Sequence, residues 1–507
     1  MNRWLVAGRR FLATRGGIIL QAGIVSTWVV MLGFLVERTF WDVQTLRVSP
    51  VLAKEGMKTG EDWWGIYFQH EKIGYAVTLL QQQAAKVSVK EKVFLKLSVL
   101  GIPQNIVQTL EYQTDQNLTL NSFDFSLESG FIQFRMAGSL EDRPAGAGKR
   151  LKVKVHSGGK ERQQEIALQE APYILGQTKL YFLAQGLEKG RRYRIATFDP
   201  STLGKAEMIA EVEGTERLNI DGEERELYRV REEFRGIVTK SWMDRKGEIW
   251  KEESPTGLAL MRESKNVAMY KNWSRGKTAD LIAFTAIPVN REIDNPRSAH
   301  YLRVRLLSPA LNGLQIEADR QLRTGNEVTI RKEEFPPRLS FYKTLPAGAL
   351  QEALRSTPFI QSDDPEIKRQ AEAIVAGIED PAEKVRRLAA WVYREVEKRP
   401  VMSIPSAIEV LHHKVGDCNE HAVLFIALLR AVGIPAQMQA GIIYLEGHFF
   451  YHAWAKVYLG AWVSVDPLLN QIPTDATHIC LVEGDLERQL DIVKLMGRLR
   501  IEVLEVH

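Results

Sequence analysis

The chain has 507 residues, of which 45% are hydrophobic and 26% are charged, and it contains two cysteines. This composition is that of ordinary folded proteins and excludes collagen-like, disordered and disulfide-framework classes. At roughly 100 to 200 residues per domain, the length predicts two to four folded units. The formal charge is 67 basic minus 63 acidic residues, or +4. Four arginines precede the first acidic residue, Glu37, so the rest of the chain is balanced and general nucleic-acid binding is not expected.

An uncharged, largely apolar stretch from Gly17 to Val36 follows these arginines. About twenty such residues cross a hydrocarbon core of about 30 Å as one helix, which predicts a transmembrane signal-anchor and the lipid bilayer as a partner. The positive-inside rule keeps the N-terminus cytoplasmic and exports the chain after about residue 40. No small-x-small motif follows the stretch, so an uncleaved anchor is favoured over a cleaved signal peptide.

The middle of the chain, from Asp62 to about Ser340, alternates apolar and polar residues with period two. Leu151, Val153 and Val155, for example, are separated by polar side chains, a pattern typical of antiparallel strands. Turn sequences such as Ser157-Gly-Gly separate these runs, and the segment 241–251 is predicted to form a hairpin. No catalytic group of residues stands out in this region.

In the last third of the chain the apolar residues no longer alternate with period two, and helices are predicted there. Asp364-Pro365 and Asp380-Pro381 each place a capping residue before a proline at the first helical position. A third helix is expected to begin near Ser406, and a buried one follows Gly416-Asp-Cys-Asn-Glu-His. Cys418 falls in the first turn of that last helix.

The position of Cys418 suggests nucleophilic chemistry. Unpaired backbone N–H groups and the helix dipole stabilise a thiolate, so a lowered thiol pKa is expected there. A thiol nucleophile needs an imidazole for proton transfer and a carboxylate to orient that imidazole. His452 and Asp466 lie on two predicted neighbouring strands and are the expected partners. Cys480 lies in a predicted buried strand, although a disulfide with Cys418, which would inactivate the site, stays open.

Four motifs in order carry a resemblance to a known family. They are Gly-Asp-Cys418-Asn-Glu-His, Arg430-Ala-Val-Gly-Ile-Pro, His452-Ala-Trp and Trp462-Val-Ser-Val-Asp466-Pro. In spacing and order they resemble the transglutaminase-like superfamily, over about Leu350 to Asp485. The resemblance implies a papain-like core and a Cys-His-Asp triad formed by Cys418, His452 and Asp466. Its members include transglutaminases, peptidases, amidases and inactive relatives.

The function expected from this resemblance is thiol-dependent acyl transfer on peptide or carboxamide bonds, by a protease, an amidase or a transglutaminase. Cys418 would form a thioester, and water or an amine would then release the acyl group. One alternative is an inactive scaffold that binds peptide or envelope polymer. Another is a zinc site, because six of the ten histidines lie between Leu350 and Asp485 and Cys418 and His421 form a C-x-x-H pair. The favoured interpretation requires neither metal nor cofactor.

The predicted fold class is therefore α+β: a transmembrane helix, an antiparallel β-rich exported region and a C-terminal transglutaminase-like α+β domain. The predicted units are residues 1–40 as tail and anchor, 41–270 as a β-rich domain, 271–345 as a second β-rich unit or linker, and 346–507 as the catalytic domain. By analogy with exported family members, the expected location is a bacterial inner membrane facing the periplasm, with a protein or peptide substrate. The substrate itself, the choice between hydrolysis and transamidation, and the oligomeric state are not predicted.

Overall fold

The fold is taken from a computed structural model, which describes residues 43–45 and 59–507 with short gaps. The gaps are residues 84–85, 100, 116, 131, 144–147, 175–186, 221, 271–284, 309–310, 312–313, 315, 338–343, 402–403 and 485. Strands account for 52% of the described residues and helices for 18%.

The predicted α+β class is wrong, because this chain is mainly β. The prediction gave weight to the helices of the last third, whereas long hairpins in the first half hold most of the ordered backbone. Within the described part of the chain, no helix combines the length and the apolar character that a bilayer crossing needs, so the expected transmembrane helix is not found. The segment from Gly17 to Val36, on which that expectation rests, lies outside the described residues.

A sixteen-stranded sheet, here called the large sheet, occupies the first half of the chain. Its strands are β1 (Val43–Thr45), β2 (Gly60–Phe68), β3 (Glu71–Gln83), β4 (Lys86–Val99), β5 (Ile102–Thr114), β6 (Leu120–Ser129), β7 (Ile132–Asp142), β8 (Lys149–Ser157), β9 (Lys160–Leu168), β10 (Tyr173–Ile174), β11 (Arg192–Asp199), β12 (Gly204–Ile220), β13 (Glu223–Phe234), β14 (Ile237–Met243), β15 (Ile249–Glu253) and β16 (Leu258–Glu263). Their spatial order is β1-β11-β12-β13-β14-β15-β16-β2-β3-β4-β5-β6-β7-β8-β9, with β10 beside β11.

The large sheet is antiparallel except where β1 and β10 run parallel to β11. Leu151, Val153 and Val155 of β8 are at most 1% exposed, while the residues between them are less buried. The predicted alternation is therefore confirmed, because successive side chains of a strand point to opposite faces and only one face is buried here. The predicted hairpin is also present, since β14 and β15 pair around the turn from Asp244 to Glu248.

Three smaller sheets lie among the described residues of the second half. Their strands are β17 (Ile287–Pro288), β18 (Tyr301–Leu307), β19 (Gln321–Thr324), β20 (Glu327–Arg331), β21 (Glu397–Lys398), β22 (Val415–Gly416), β23 (Ala436–Leu445), β24 (His448–Tyr458), β25 (Trp462–Val465), β26 (Ile479–Glu483) and β27 (Arg500–Val506). The site sheet has the order β17-β24-β23-β26, with β25 on β24; a second sheet has the order β19-β20-β18-β27; and β21 pairs with β22. Because β18 pairs with β27, the predicted second β unit shares a sheet with the C-terminal strand. The predicted domain boundaries stay predictions.

The described helices are mostly in the last third. They are α1 (Lys265–Ala268), α2 (Ala347–Leu354), α3 (Pro365–Ile374), α4 (Pro381–Glu395), α5 (Ala407–His413), α6 (Cys418–Ala431) and α7 (Leu486–Val493). The Asp364 side chain accepts from one backbone N–H at the start of α3, and Asp380 accepts from two at the start of α4. Both predicted helix starts are therefore confirmed. Helix α6 is the most enclosed, with every residue from Glu420 to Arg430 buried between helices α3 to α5 and the site sheet.

The large sheet contacts these helices through the turn between β8 and β9. Gly158 N donates to Glu409 Oε1 of α5 at 3.2 Å, and the Ser157 and Ser406 hydroxyls are in contact. Lys160 Nζ lies 2.9 Å from Asp364 Oδ1, the carboxylate that caps α3. The large sheet is thus in contact with the first turns of α5 and α3.

This contact leads to a prediction with a matched control. Gly158 has a φ of +58°, and a Cβ there would lie 2.6 Å from Ile408 Cγ2, whereas Gly159 has a φ of +75° and open space around it. Both alanine variants incur left-handed backbone strain, but only Gly158→Ala also creates a steric overlap, which typically costs about 1–3 kcal/mol. We expect Gly158→Ala to lower the free energy of unfolding by that much more than Gly159→Ala. Chemical denaturation of both variants measures this, and equal losses would contradict the close contact.

Candidate active site

Helix α6 presents Cys418 at its first position, as the sequence predicts. Asp417 is the N-cap: its side chain accepts from Asn419 N at 3.0 Å, while Glu420 Oε2 accepts from Asp417 N at 3.0 Å. This reciprocal capping box fixes the start of the helix. The other end is closed by Gly433, whose φ of +78° suits a glycine. The register of the helix, and with it the location of Cys418, is therefore set at both ends.

His452 and Asp466 are in direct contact beside that helix start. His452 lies on β24, and Asp466 directly follows the paired strand β25. His452 Nε2 lies 2.8 Å from Asp466 Oδ2, and their side chains are 7% and 0% exposed. A carboxylate accepts only, so Nε2 carries the proton and Nδ1 is the ring nitrogen left for another partner.

The Cys418 side chain is partly buried and interacts with the same strand. The backbone N–H of Ala453, the residue after His452, donates to its sulfur. Burial raises the pKa of the Cys418 thiol well above its usual value, and the negative charges of Asp417, Glu420 and Asp466 add to this effect. The predicted lowering of the thiol pKa is therefore wrong, because burial opposes ionisation of the sulfur and the nearby carboxylates add to that effect.

Asp466 is a fully buried carboxylate supplied with several donors. Its Oδ1 accepts from the backbone N–H groups of Leu468 at 2.8 Å and Leu469 at 3.1 Å. Burial opposes ionisation, but the charges of and hydrogen bonds from His452 and His478 outweigh it and hold the pKa of Asp466 well below its usual range. Asp466 is thus ionised at neutral pH and fixed through both oxygens.

A second histidine and a second aspartate join this cluster, and sequence reasoning gave neither a role. His478 Nε2 lies 3.2 Å from Asp466 Oδ2, and His478 Nδ1 lies 3.3 Å from Asp475 Oδ1. Asp475 also forms an ion pair with Arg297, with 2.9 Å between Nη1 and Oδ2. These residues belong to no spacing pattern, and the concentration of histidines in the last third was the one available signal.

Trp454 packs against both imidazoles, which also contact each other at a centroid distance of 6.0 Å. Its ring stacks on His452 at a centroid distance of 6.0 Å and meets the His478 ring edge-on at 5.3 Å. Trp454 Nε1 donates to Gln439 Oε1 at 2.7 Å, which fixes the indole. Tyr444 lies in the core, where its hydroxyl accepts from Ile293 N.

The cluster also bears on the zinc alternative. Among the described residues, the group whose ligand atoms lie close enough for a metal is His452, Asp466 and His478, with all these atoms within 4.8 Å of one another. Cys418 and His421 are not part of it, and His421 Nδ1 contacts the Asp417 carbonyl of its own helix at 2.7 Å. Both imidazole nitrogens lie at hydrogen-bond distance from the same carboxylate oxygen. Protons on these two imidazole nitrogens account for the short contacts to the carboxylate.

Cys480 lies in β26, is 2% exposed and is part of the core, as predicted. Both cysteines are free thiols.

Residues 368–467 match the transglutaminase-like superfamily. The matched segment lies within the part of the chain where the sequence motifs carry the resemblance, and it includes Cys418, His452 and Asp466 but not Asp475 or His478. An uncharacterized protein of Mycobacterium leprae (strain TN) is 25% identical over 135 residues, which are 24% of this chain and 47% of that protein. The chain thus spans about half the length of this curated relative.

Two solved structures show a partial likeness. One is a candidate cysteine protease from Cytophaga hutchinsonii, 20% identical, with a TM-score of 0.27 over 44% of this chain and 82% of that chain. The other is the periplasmic domain of TgpA from Pseudomonas aeruginosa bound to ethylmercury, 17% identical, with a TM-score of 0.24 over 37% of this chain and 83% of that chain. Both TM-scores are below 0.5, so neither likeness defines the fold.

The raised thiol pKa predicts slow alkylation of Cys418 at neutral pH. A higher pKa leaves less thiolate at pH 7, so the iodoacetamide rate should be below that of a free cysteine and should keep rising at pH values above about 8.5, the ordinary thiol pKa. Cys480→Ala leaves Cys418 as the single thiol for this measurement, and Cys418→Ala reports the buried Cys480 alone. Fast alkylation of Cys418 that is independent of pH around 7 would contradict the raised pKa.

Proposed function

We propose that the C-terminal region catalyses acyl transfer from peptide or carboxamide bonds, with Cys418 as nucleophile, His452 as general base and acid, and Asp466 as the group that orients His452. The observation that carries the proposal is the buried contact between His452 Nε2 and Asp466 Oδ2 at 2.8 Å. It fixes the tautomer and leaves Nδ1 for exchange of a proton with a thiol. The match of residues 368–467 to the transglutaminase-like superfamily supports the same assignment.

The raised pKa of Cys418 defines the first step of this mechanism. The thiol is protonated at rest, so His452 Nδ1 accepts its proton as the sulfur attacks the carbonyl carbon. The backbone N–H of Cys418, at the start of α6, is a donor for the developing oxyanion. The tetrahedral intermediate then breaks its C–N bond, and the proton held by His452 passes to the departing amine. A thioester and a free amine result.

The second half reaction reverses the proton path. Water or a primary amine gives a proton to His452 as it attacks the thioester carbonyl, and the C–S bond breaks. His452 returns the proton to the sulfur, which restores the thiol. Water yields hydrolysis and an amine yields transamidation. The peptide nature of the substrate and the exported location stay predictions of the sequence.

Acylation by p-nitrophenyl acetate tests the nucleophile and its partners. We expect an acetyl adduct on Cys418 by mass spectrometry, its loss in Cys418→Ala, and rates at least about 100-fold lower in His452→Ala and Asp466→Asn. His448→Ala is the matched control, because His448 is an exposed histidine on the same strand. Acylation at another residue, or rates unchanged by His452→Ala, would contradict the mechanism. A wild-type chain that is not acylated would instead favour the inactive scaffold.

A second experiment distinguishes the two acyl acceptors. Casein supplies peptide and glutamine carboxamide bonds, and dansylcadaverine supplies a primary amine. Incorporation of the dansyl group that depends on Cys418 indicates transamidation, whereas casein fragments that depend on Cys418 indicate hydrolysis. Cys480→Ala should match wild type in both assays, because Cys480 is buried in the core.

A further inference from the structure

His478 is enclosed between two carboxylates that both accept from its ring. It is 1% exposed, with Nε2 at 3.2 Å from Asp466 and Nδ1 at 3.3 Å from Asp475. A neutral imidazole carries one N–H, but two ionised carboxylates offer only acceptors. Both contacts are satisfied together only when both nitrogens carry protons, so this geometry selects the imidazolium.

Asp475 is held firmly on the far side of His478. Its Oδ1 accepts from Thr477 N at 2.7 Å and from Thr477 Oγ1 at 2.6 Å, while its Oδ2 accepts from Gln471 Nε2 at 2.8 Å. Arg297 Nη1 pairs with the same Oδ2 at 2.9 Å. Because these contacts fix the Asp475 carboxylate, Asp475 is a hydrogen-bond acceptor of fixed position for His478.

The formal charges of the four residues Asp466, Asp475, His478 and Arg297 sum to zero without any charge on His452. Asp466 and Asp475 are negative, and His478 and Arg297 are positive. A buried carboxylate needs compensation by donors and opposite charge, and His478 supplies part of it to Asp466. His478 and His452 therefore share one acceptor, Oδ2 of Asp466, from two directions.

In the described part of the chain, His478 shares the compensation of Asp466 with His452. The titratable side chains that face its ring are Asp466, Asp475 and His452, and behind Asp475 lie Arg297, on its carboxylate, and Arg320, on its backbone carbonyl. Burial opposes protonation of His478, but its contacts with the two carboxylates raise its pKa above the usual value.

We propose that His478, held as an imidazolium between Asp466 and Asp475, is a positioning residue that fixes the Asp466 carboxylate and limits how strongly Asp466 stabilises a charged His452. This inference rests on the proposed function, since positioning has a purpose only if His452 transfers protons. It lies beyond the region matched to the superfamily, because residues 475 and 478 follow residue 467.

Two substitutions separate position from charge. His478→Asn places an amide N–H near the former Nδ1, so it keeps the contact to Asp475 and loses the one to Asp466. We expect kcat for p-nitrophenyl acetate to fall about 10- to 100-fold with little change in KM, because the carboxylate that orients His452 is no longer fixed. His478→Gln places an amide N–H near the former Nε2, so kcat should stay within about threefold of wild type, since the contact to Asp466 is kept.

The pH profile reports the loss of positive charge. In both variants the acidic limb of kcat/KM should move up by about one pH unit, since Asp466 then stabilises the protonated form of His452 more strongly. His448→Asn, on the exposed histidine of β24, should leave kcat and the limb unchanged. A purely structural role for His478 would lower the folded fraction, measured by circular dichroism, but leave the limb and the kcat per folded molecule at wild-type values, which would overturn the proposal.

A measurement without turnover keeps the inference separate from the proposed function. In the full chain labelled with 13C and 15N at histidine, the His478 signals, identified by their loss in His478→Gln, should be those of an imidazolium at pH 7. Neutral-ring signals would overturn the inference even in an active enzyme. Imidazolium signals in a chain that is never acylated on Cys418 would overturn both the proposed function and the positioning role, leaving only the buried charge pair.

Discussion

The buried carboxylate of Asp466 is the constraint on which the candidate site depends. A charge without solvent must be surrounded by donors, and four of them converge on it: two backbone N–H groups on Oδ1 and two imidazoles on Oδ2. The turn after β25 supplies the amides, β24 supplies His452, and the segment before β26 supplies His478. Three separate parts of the site sheet therefore supply the hydrogen-bond donors that the buried Asp466 carboxylate requires.

Cys418 lies at the start of the buried helix α6. The helix dipole favours a thiolate there, but burial and the capping carboxylates oppose it, and the opposing effects prevail. In the proposed mechanism a protonated thiol gives its proton to His452 as the sulfur attacks, so proton transfer accompanies bond formation. Burial is the main cause of the raised pKa of Cys418, and the carboxylates of the capping box, which define the start of α6, add to it.

Local signals in the sequence were sufficient for much of the fold and part of the site. Asp364, Asp380 and Asp417 each cap the expected helix, because a cap is decided by residues within one turn. The alternation of apolar and polar residues in β8 could also be predicted from the sequence. The fold class was predicted wrongly because it depends on the relative extent of strands and helices. That extent is set by the length of each hairpin, which local sequence signals do not show. His478 and Asp475 were not foreseen, because burial and the partners brought by tertiary packing give them their role.

The pairing of β18 with β27 has a consequence for biosynthesis. Strand β18 (Tyr301–Leu307) pairs on one side with β27 (Arg500–Val506). Their sheet is therefore incomplete until β27 has left the ribosome. The core beneath the site sheet includes side chains from both strands, among them Val304 and Val503. The strands of the large sheet all precede β27 in the chain, so the large sheet is free to form before this core is complete.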